Sequence, residues 1–212
     1  MGKVRLEISM SLDGYVAGPN PTLEEPLGKR GEELHEWIFG LDAWRQAHGL
    51  GEGERGADSD LMQEAIDSQG AVVMGRKMWS GGSGPWEDDP NADAWWGDDP
   101  PFHVPVFVLT HHARPSETKG DSEITFVTDG VEAALELARE AAGEEDVGVA
   151  GGANVAQQFL AAGYLDELNI HVAPVLLGGG TPLFEEGVAP KLELVRTVTS
   201  PAVTHLRYRV VG

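Results

Sequence analysis

The stretch VGVAGGANVAQQFLAAG, residues 147–163, decides how the chain is read. Val147 to Ala150 is a short apolar run that stops at two glycines, the pattern of a buried strand, and a helix is expected over Asn154 to Ala162. A strand that turns into a helix across Gly151 and Gly152 lets the backbone approach a ligand closely. It also leaves the first helical amides free to hold a pyrophosphate. The motif is not the dinucleotide fingerprint GxGxxG, and a tight turn with no ligand is the alternative reading.

Two other strand ends have the same character. Val72-Val73-Met74-Gly75-Arg76-Lys77-Met78-Trp79 is a buried strand closed by glycine, with two cations at the start of the next helix. Free amides and two positive charges there make an anion site, or else a solvated helix start. Val108-Leu109-Thr110-His111-His112-Ala113-Arg114-Pro115 ends a third strand in hydroxyl, imidazole and guanidinium groups, a cluster suited to an extra ribose phosphate. Adjacent histidines on extended backbone point opposite ways, and there is neither an HExxH helix nor a cysteine, so no metal is expected.

The rest of the chain supplies the frame. Val4, Leu6 and Ile8 alternate with Arg5, Glu7 and Ser9 as in a half-buried strand, and Asp13-Gly14 is a turn signal. Residues 18–31 are rich in proline and glycine and read as a loop. Helices are expected over Glu33 to Trp44, Ser59 to Asp67 and Val131 to Ala142. Strands are expected at Ala71 to Met74, Val106 to Leu109, Ile124 to Val127 and Glu167 to Val175. Residues 81–105 read as a mobile acidic insertion with tryptophan anchors. Two closing strands, Leu192 to Thr199 and Val203 to Val210, have no helix between them and form a hairpin. The expectation is one α/β domain over residues 1–212, a mostly parallel mixed sheet with helices on both faces and a C-terminal antiparallel hairpin.

Composition excludes several classes of function. Fifteen basic against 35 acidic residues give a net charge of −20, which repels nucleic acid, and surface carboxylates on this scale serve solubility or adaptation to salt. The absence of cysteine removes disulfides, thiolate metal sites and cysteine nucleophiles. No apolar run approaches the roughly 18 residues of a membrane span and no secretory signal opens the chain, so a cytoplasmic protein with no membrane partner is expected.

The order MGRKMW, VFVLTHHARP, VAGGANVAQQFL resembles the NADPH-binding segments of dihydrofolate reductases. With SMSLDGYVAG at the start and LDELNIHVAPVLLGGGTPLF near the end, the chain is still more similar to the reductase domain of the riboflavin-biosynthesis deaminase/reductase family, as a stand-alone member. The resemblance implies NADPH as cofactor. Gly75, Arg76 and Lys77 would meet its phosphates, Leu109, Thr110 and His111 would flank the adenosine and its 2′-phosphate, and Gly151, Gly152, Ala153 and Asn154 would cradle the pyrophosphate. Val16 and Ala17 would lie beside the nicotinamide. Asp13, Tyr15 and His35 are the candidate proton donors, and Trp37 and Trp79 the candidate walls of a planar-substrate pocket, or else core.

The resemblance also has gaps. The stretch DDPPFHVP carries no arginine to hold a folate tail, Ala150 stands where riboflavin-type reductases carry a glutamate, and Met78 replaces a threonine. The function implied is NADPH-dependent reduction of a small, heterocyclic or carbonyl/imine substrate. The rivals are reduction of an aminopyrimidine ribosyl phosphate in riboflavin synthesis, nucleotide binding without turnover, and a dimeric scaffold. A homodimer is expected, with Gly178-Gly179-Gly180 and Phe184 near the subunit contact.

Overall fold

The computed structural model describes residues 2–93 and 96–211. A nine-stranded sheet forms the centre, built from β1 Val4–Ser11, β3 Gln69–Gly75, β4 Val106–Leu109, β5 Glu117–Lys119, β6 Ser122–Val127, β7 Asp146–Gly151, β8 Glu167–Ala173, β10 Lys191–Thr199 and β11 Thr204–Val211. The strand order is β10-β11-β8-β1-β7-β3-β4-β6-β5. The pairings from β8 through β6 are parallel, and the two edges, β10-β11-β8 on one side and β5-β6 on the other, are antiparallel. This is the mixed α/β domain that alternating strands and helices dictate, with the hairpin at its C-terminal edge.

Strand β3 shows why the sheet is covered on both sides. Ala71 and Val73 point into a core with Val4, Leu6, Ile8, Val147, Val149 and Phe159, beneath α4 Gly130–Ala142 and α5 Ala153–Ala161. Val72 and Met74 point the other way, into a second core with Val106, Val108, Ile124, Phe126 and Trp79, the last carried by the five-residue helix α3 Arg76–Ser80. A strand apolar on both faces is the expected signature of a central parallel strand.

The face of β1 opposite α4 and α5 is polar, and strand pairing arranges it in rows. Arg5 pairs with Glu167 and that with Arg209, Glu7 with Asn169 and that with Arg207, Ser9 with His171 and that with His205. Helix α2 Ala57–Ser68 supplies partners: Asp58 bonds His205, and Glu64 accepts from Arg207 and Arg196 at 2.7 Å each.

Three expectations change. The helix over Glu33 to Trp44 does not form. A 3-10 turn at Gly31–Leu34 and successive single turns run to Gly40, and α1 Asp42–Ala47 begins only there. The physical cause is at Gly40 and Asp42, whose backbone groups pair with Glu54 while the Asp42 carboxylate accepts the Gly53 N–H, so the helical ladder is interrupted. Strand β5 was not expected. Neither was the small sheet of β2 Tyr15–Ala17 with β9 Thr181–Pro182, which seats the segment after Gly178-Gly179-Gly180 against the first loop of the same chain. Gly180 has φ 129°, and a Cβ on it would meet the Ala17 carbonyl oxygen at 2.0 Å, so only glycine fits. Among the described residues no helix is long and apolar enough to cross a membrane.

Candidate active site

The three strand ends singled out by sequence lie side by side. Met74 pairs with Gly151 across β3 and β7, and Gly75 pairs with Leu109 across β3 and β4, so the carboxyl ends of three adjacent parallel strands form one rim. Ligands of open α/β sheets bind at such a rim. Packing is close beneath it. A Cβ on Gly75 would sit 2.9 Å from Val155 Cγ2, and one on Gly151 (φ 107°) would lie 3.8 Å from Ile8 Cδ1. Above Gly152, by contrast, a Cβ would meet nothing within 4 Å.

That open position is the start of α5. Val155 and Ala156 both donate their amides to the Gly152 carbonyl, which leaves the amides of Ala153 and Asn154 without an intrahelical acceptor, as the first turn of any helix must. Gly152 and Asn154 are exposed while Ala153 is buried beneath them. The residues therefore fit a pyrophosphate: an open glycine, unpaired amides and a nine-residue helix whose dipole favours an anion.

The neighbouring strand ends contribute differently. Lys77 and His111 are exposed at the rim. Thr110 is buried, and its hydroxyl accepts the His112 N–H at 3.1 Å, so it shapes the turn after β4. Arg76 is not exposed: its side chain is 6% accessible and its Nη1 lies 2.6 Å from Asp89 Oδ2 in the 81–105 insertion. Helix α3 is too short to add much dipole and Arg76 is already paired with Asp89, so the exposed positive charge at this end is carried by Lys77.

On the first-strand side, Val16 is buried in the core under α5, and Ala17 is half-buried in β2. Asp13 is exposed, and its carboxylate accepts the N–H groups of Leu177 at 3.1 Å and Gly178 at 2.7 Å. The Ser11 hydroxyl, followed by these two amides, holds its pKa below the usual carboxylate range against the opposing effect of desolvation. Asp13 therefore clamps the first loop to the 177–178 backbone. Tyr15 lies half-exposed in β2, its N–H bonded to Ser11 Oγ at 2.9 Å.

Trp79 also requires correction. It is 2% exposed within the second core and edge-on to Phe126, so it lines no pocket. Trp37 lies on the polar face of the sheet, with Nε1 3.2 Å from Ser9 Oγ and its ring 5.1 Å from both His171 and His205. Those histidines contact each other through Nδ1 at 2.8 Å and are flanked by Glu7 at 3.2 Å and Asp58 at 3.1 Å. The sequence reading passed over this cluster. Its signal was the period-two recurrence of Glu167, Asn169, His171 and of His205, Arg207, Arg209.

Burial holds the imidazoles of His35 and His205 below the usual histidine range, and the neighbouring His171 presses the same way at each. Both rings are thus kept neutral in the fold at pH values where the unfolded chain takes up protons. Their contribution to stability is complete above about pH 6.5 and declines as pH falls below it. The urea midpoint is expected to be lower at pH 5.5 than at pH 7.5, and equal midpoints would show that the two rings are not desolvated.

Sheet order, hairpin edge and the rim of three strand ends define a dihydrofolate-reductase-like fold. The chain belongs to the family described as the RibD C-terminal domain, whose family model matches residues 2–206. It is 36% identical over 66 residues to the uncharacterized protein YwjB of Bacillus subtilis, a match that spans 31% of this chain and 37% of that one. Among solved structures it is similar to a Shewanella sp. PV-4 protein assigned by name to riboflavin biosynthesis, with TM-score 0.63, 22% identity and 99% of each chain covered. It is similar, too, to dihydrofolate reductase from Enterococcus faecalis in complex with NADP(H), with TM-score 0.50, 16% identity and coverage of 99% and 97%. At these identities the two structures speak for the fold.

Proposed function

We propose that the protein is an NADPH-dependent reductase of a small heterocyclic substrate. The observation that carries this reading is the single rim of Gly75, Leu109 and Gly151, joined to the open Gly152 at the start of α5. Membership of a family of reductase domains, and a fold shared with an enzyme crystallised with NADP(H), support it. When bound, NADPH supplies the hydride.

The chain's own residues bind and orient. The amides of Ala153 and Asn154 hold the pyrophosphate over Gly152. Lys77 and His111, exposed at the ends of β3 and β4, meet the adenosine phosphates, with Thr110 fixing the turn that carries His111. Val16, buried beside Ile8 in the core, and Ala17 present an apolar edge that keeps water from the reacting face. Asp13 holds this loop in place through Leu177 and Gly178. Trp37, over Ser9 and the His171–His205 pair, is the substrate-side wall in this reading.

The expected result is preference for NADPH over NADH of tenfold or more, because a single charged hydrogen bond to the 2′-phosphate contributes about 1.5–3 kcal/mol. Fluorescence titration with both nucleotides measures it. Equal affinities would remove the adenosine-phosphate assignment, and binding of neither would remove the reading.

A further inference from the structure

The insertion after α3 was expected to be a loop with aromatic anchors, and where it is anchored has a consequence for the cofactor rim. Residues 82–93 fold back over the ends of β3 and β4. The Trp86 ring lies 3.5 Å from the Arg76 guanidinium carbon, and its Nε1 donates to the carbonyl of His112 at 2.7 Å. Asp89 reaches the same guanidinium. One of its oxygens lies 2.6 Å from Arg76 Nη1 and accepts the Ser80 hydroxyl at 2.6 Å, while the other accepts the Asn91 N–H at 2.9 Å. The carboxylate packs over Gly82, where a Cβ would meet Asp89 Oδ2 at 2.3 Å. Beyond it, Arg114 donates to the Ala92 carbonyl at 3.2 Å and pairs with Asp93, so the segment is fastened at its far end as well.

The chemistry of these contacts is that of a nucleotide. An adenine can lie flat on a guanidinium face as the Trp86 ring does, and its exocyclic amine can donate to a main-chain carbonyl where the indole donates its ring N–H. A carboxylate against a buried arginine and a serine hydroxyl is how a phosphate is held. Arg76 Nε and Nη2 meet no acceptor among the described residues although both are buried. A carboxylate therefore fills this pocket incompletely, and a phosphate, with three terminal oxygens, matches it better.

We propose that residues 82–93 are an intramolecular occupant of the adenosine-phosphate half of the cofactor site, with Trp86 in place of the base and Asp89 in place of a phosphate, so that the nucleotide binds only by displacing them. This rests on the cofactor reading above and adds regulation of that site. The apparent affinity for NADPH is then lowered by the fraction of molecules in which the segment is seated. Glu87 and Asp88, exposed on the same segment, oppose a phosphate approaching while it is in place.

The test is isothermal titration of the full chain and two variants with NADPH, 2′,5′-adenosine diphosphate and nicotinamide mononucleotide. Asp89→Asn removes the phosphate mimic. Trp86→Leu removes the ring while keeping the Arg76–Asp89 pair, so it preserves the buried charge balance if Asp89→Asn folds poorly, and melting curves report folding for both. Each variant is expected to bind NADPH and 2′,5′-adenosine diphosphate about tenfold tighter than the parent chain, with nicotinamide mononucleotide unchanged. If the parent binds NADPH and the folded variants bind it equally or more weakly, the segment is a structural buttress and the proposal falls while the cofactor reading stands. If neither parent nor variants bind any of the three, the cofactor reading falls and takes the proposal with it.

Discussion

Trp79→Ala is expected to lower the unfolding free energy by about 3–5 kcal/mol, the usual cost of truncating a large buried aromatic side chain to alanine. The indole is 2% exposed and packs among Val72, Met74, Val106, Val108, Ile124 and Phe126, which come from three neighbouring strands and cannot all collapse into the vacated space. Trp79→Phe is expected to cost much less, because it keeps most of the apolar volume and removes an indole N–H that finds no acceptor among the described residues. Urea denaturation followed by circular dichroism measures both. A loss below about 1 kcal/mol for alanine, within the range of ordinary surface substitutions, would mean that the side chain belongs to a solvent-facing pocket after all.

Gly152→Ala is expected to do the reverse: leave the fold nearly intact and strongly weaken nucleotide binding. Its φ of −71° suits any residue, and a Cβ there meets nothing within 4 Å, so the change in stability should stay below about 1 kcal/mol. In the proposed site the methyl group would take up open space at Gly152 that the pyrophosphate needs. Affinity for NADPH is expected to fall at least about a hundredfold, equivalent to roughly 2.7 kcal/mol. Gly75→Ala differs in kind, since its Cβ would stand 2.9 Å from Val155 Cγ2 and force the β3–α5 packing to shift. Titration and melting curves on the two variants separate a binding surface from a packing contact. Unchanged affinity in Gly152→Ala would detach the glycine pair from the cofactor.

What the sequence shows and what it hides follow from range. Strands β3, β4 and β7 are legible because burial on both faces demands continuous apolar runs, and the glycines that end β3 and β7 are visible in the same few residues. Residues 33–44 mislead because Leu34, Trp37, Ile38 and Leu41 keep helical spacing, whereas the conformation is set by backbone pairing of Gly40 and Asp42 with Glu54, a contact with no local trace. The polar row of Ser9, His171 and His205 requires strand order to be known before its members can be placed together. Asp13 was recognisable as a turn residue, but its bonds to Leu177 and Gly178 join opposite ends of the chain. Arg76 is the most instructive case. Its position beside Gly75 marks an anion site, and only the fold shows an aspartate thirteen residues later already paired with it.

In the proposed function the rim of β3, β4 and β7 binds NADPH with its pyrophosphate at the start of α5. A crystal structure grown with saturating NADPH tests it most directly. The pyrophosphate is expected against Gly151, Gly152, Ala153 and Asn154, the adenosine phosphate near Lys77 and His111, and the nicotinamide beside Val16 and Ala17. Nucleotide bound elsewhere on the chain, or crystals that stay free of nucleotide with this rim open to solvent, would contradict it.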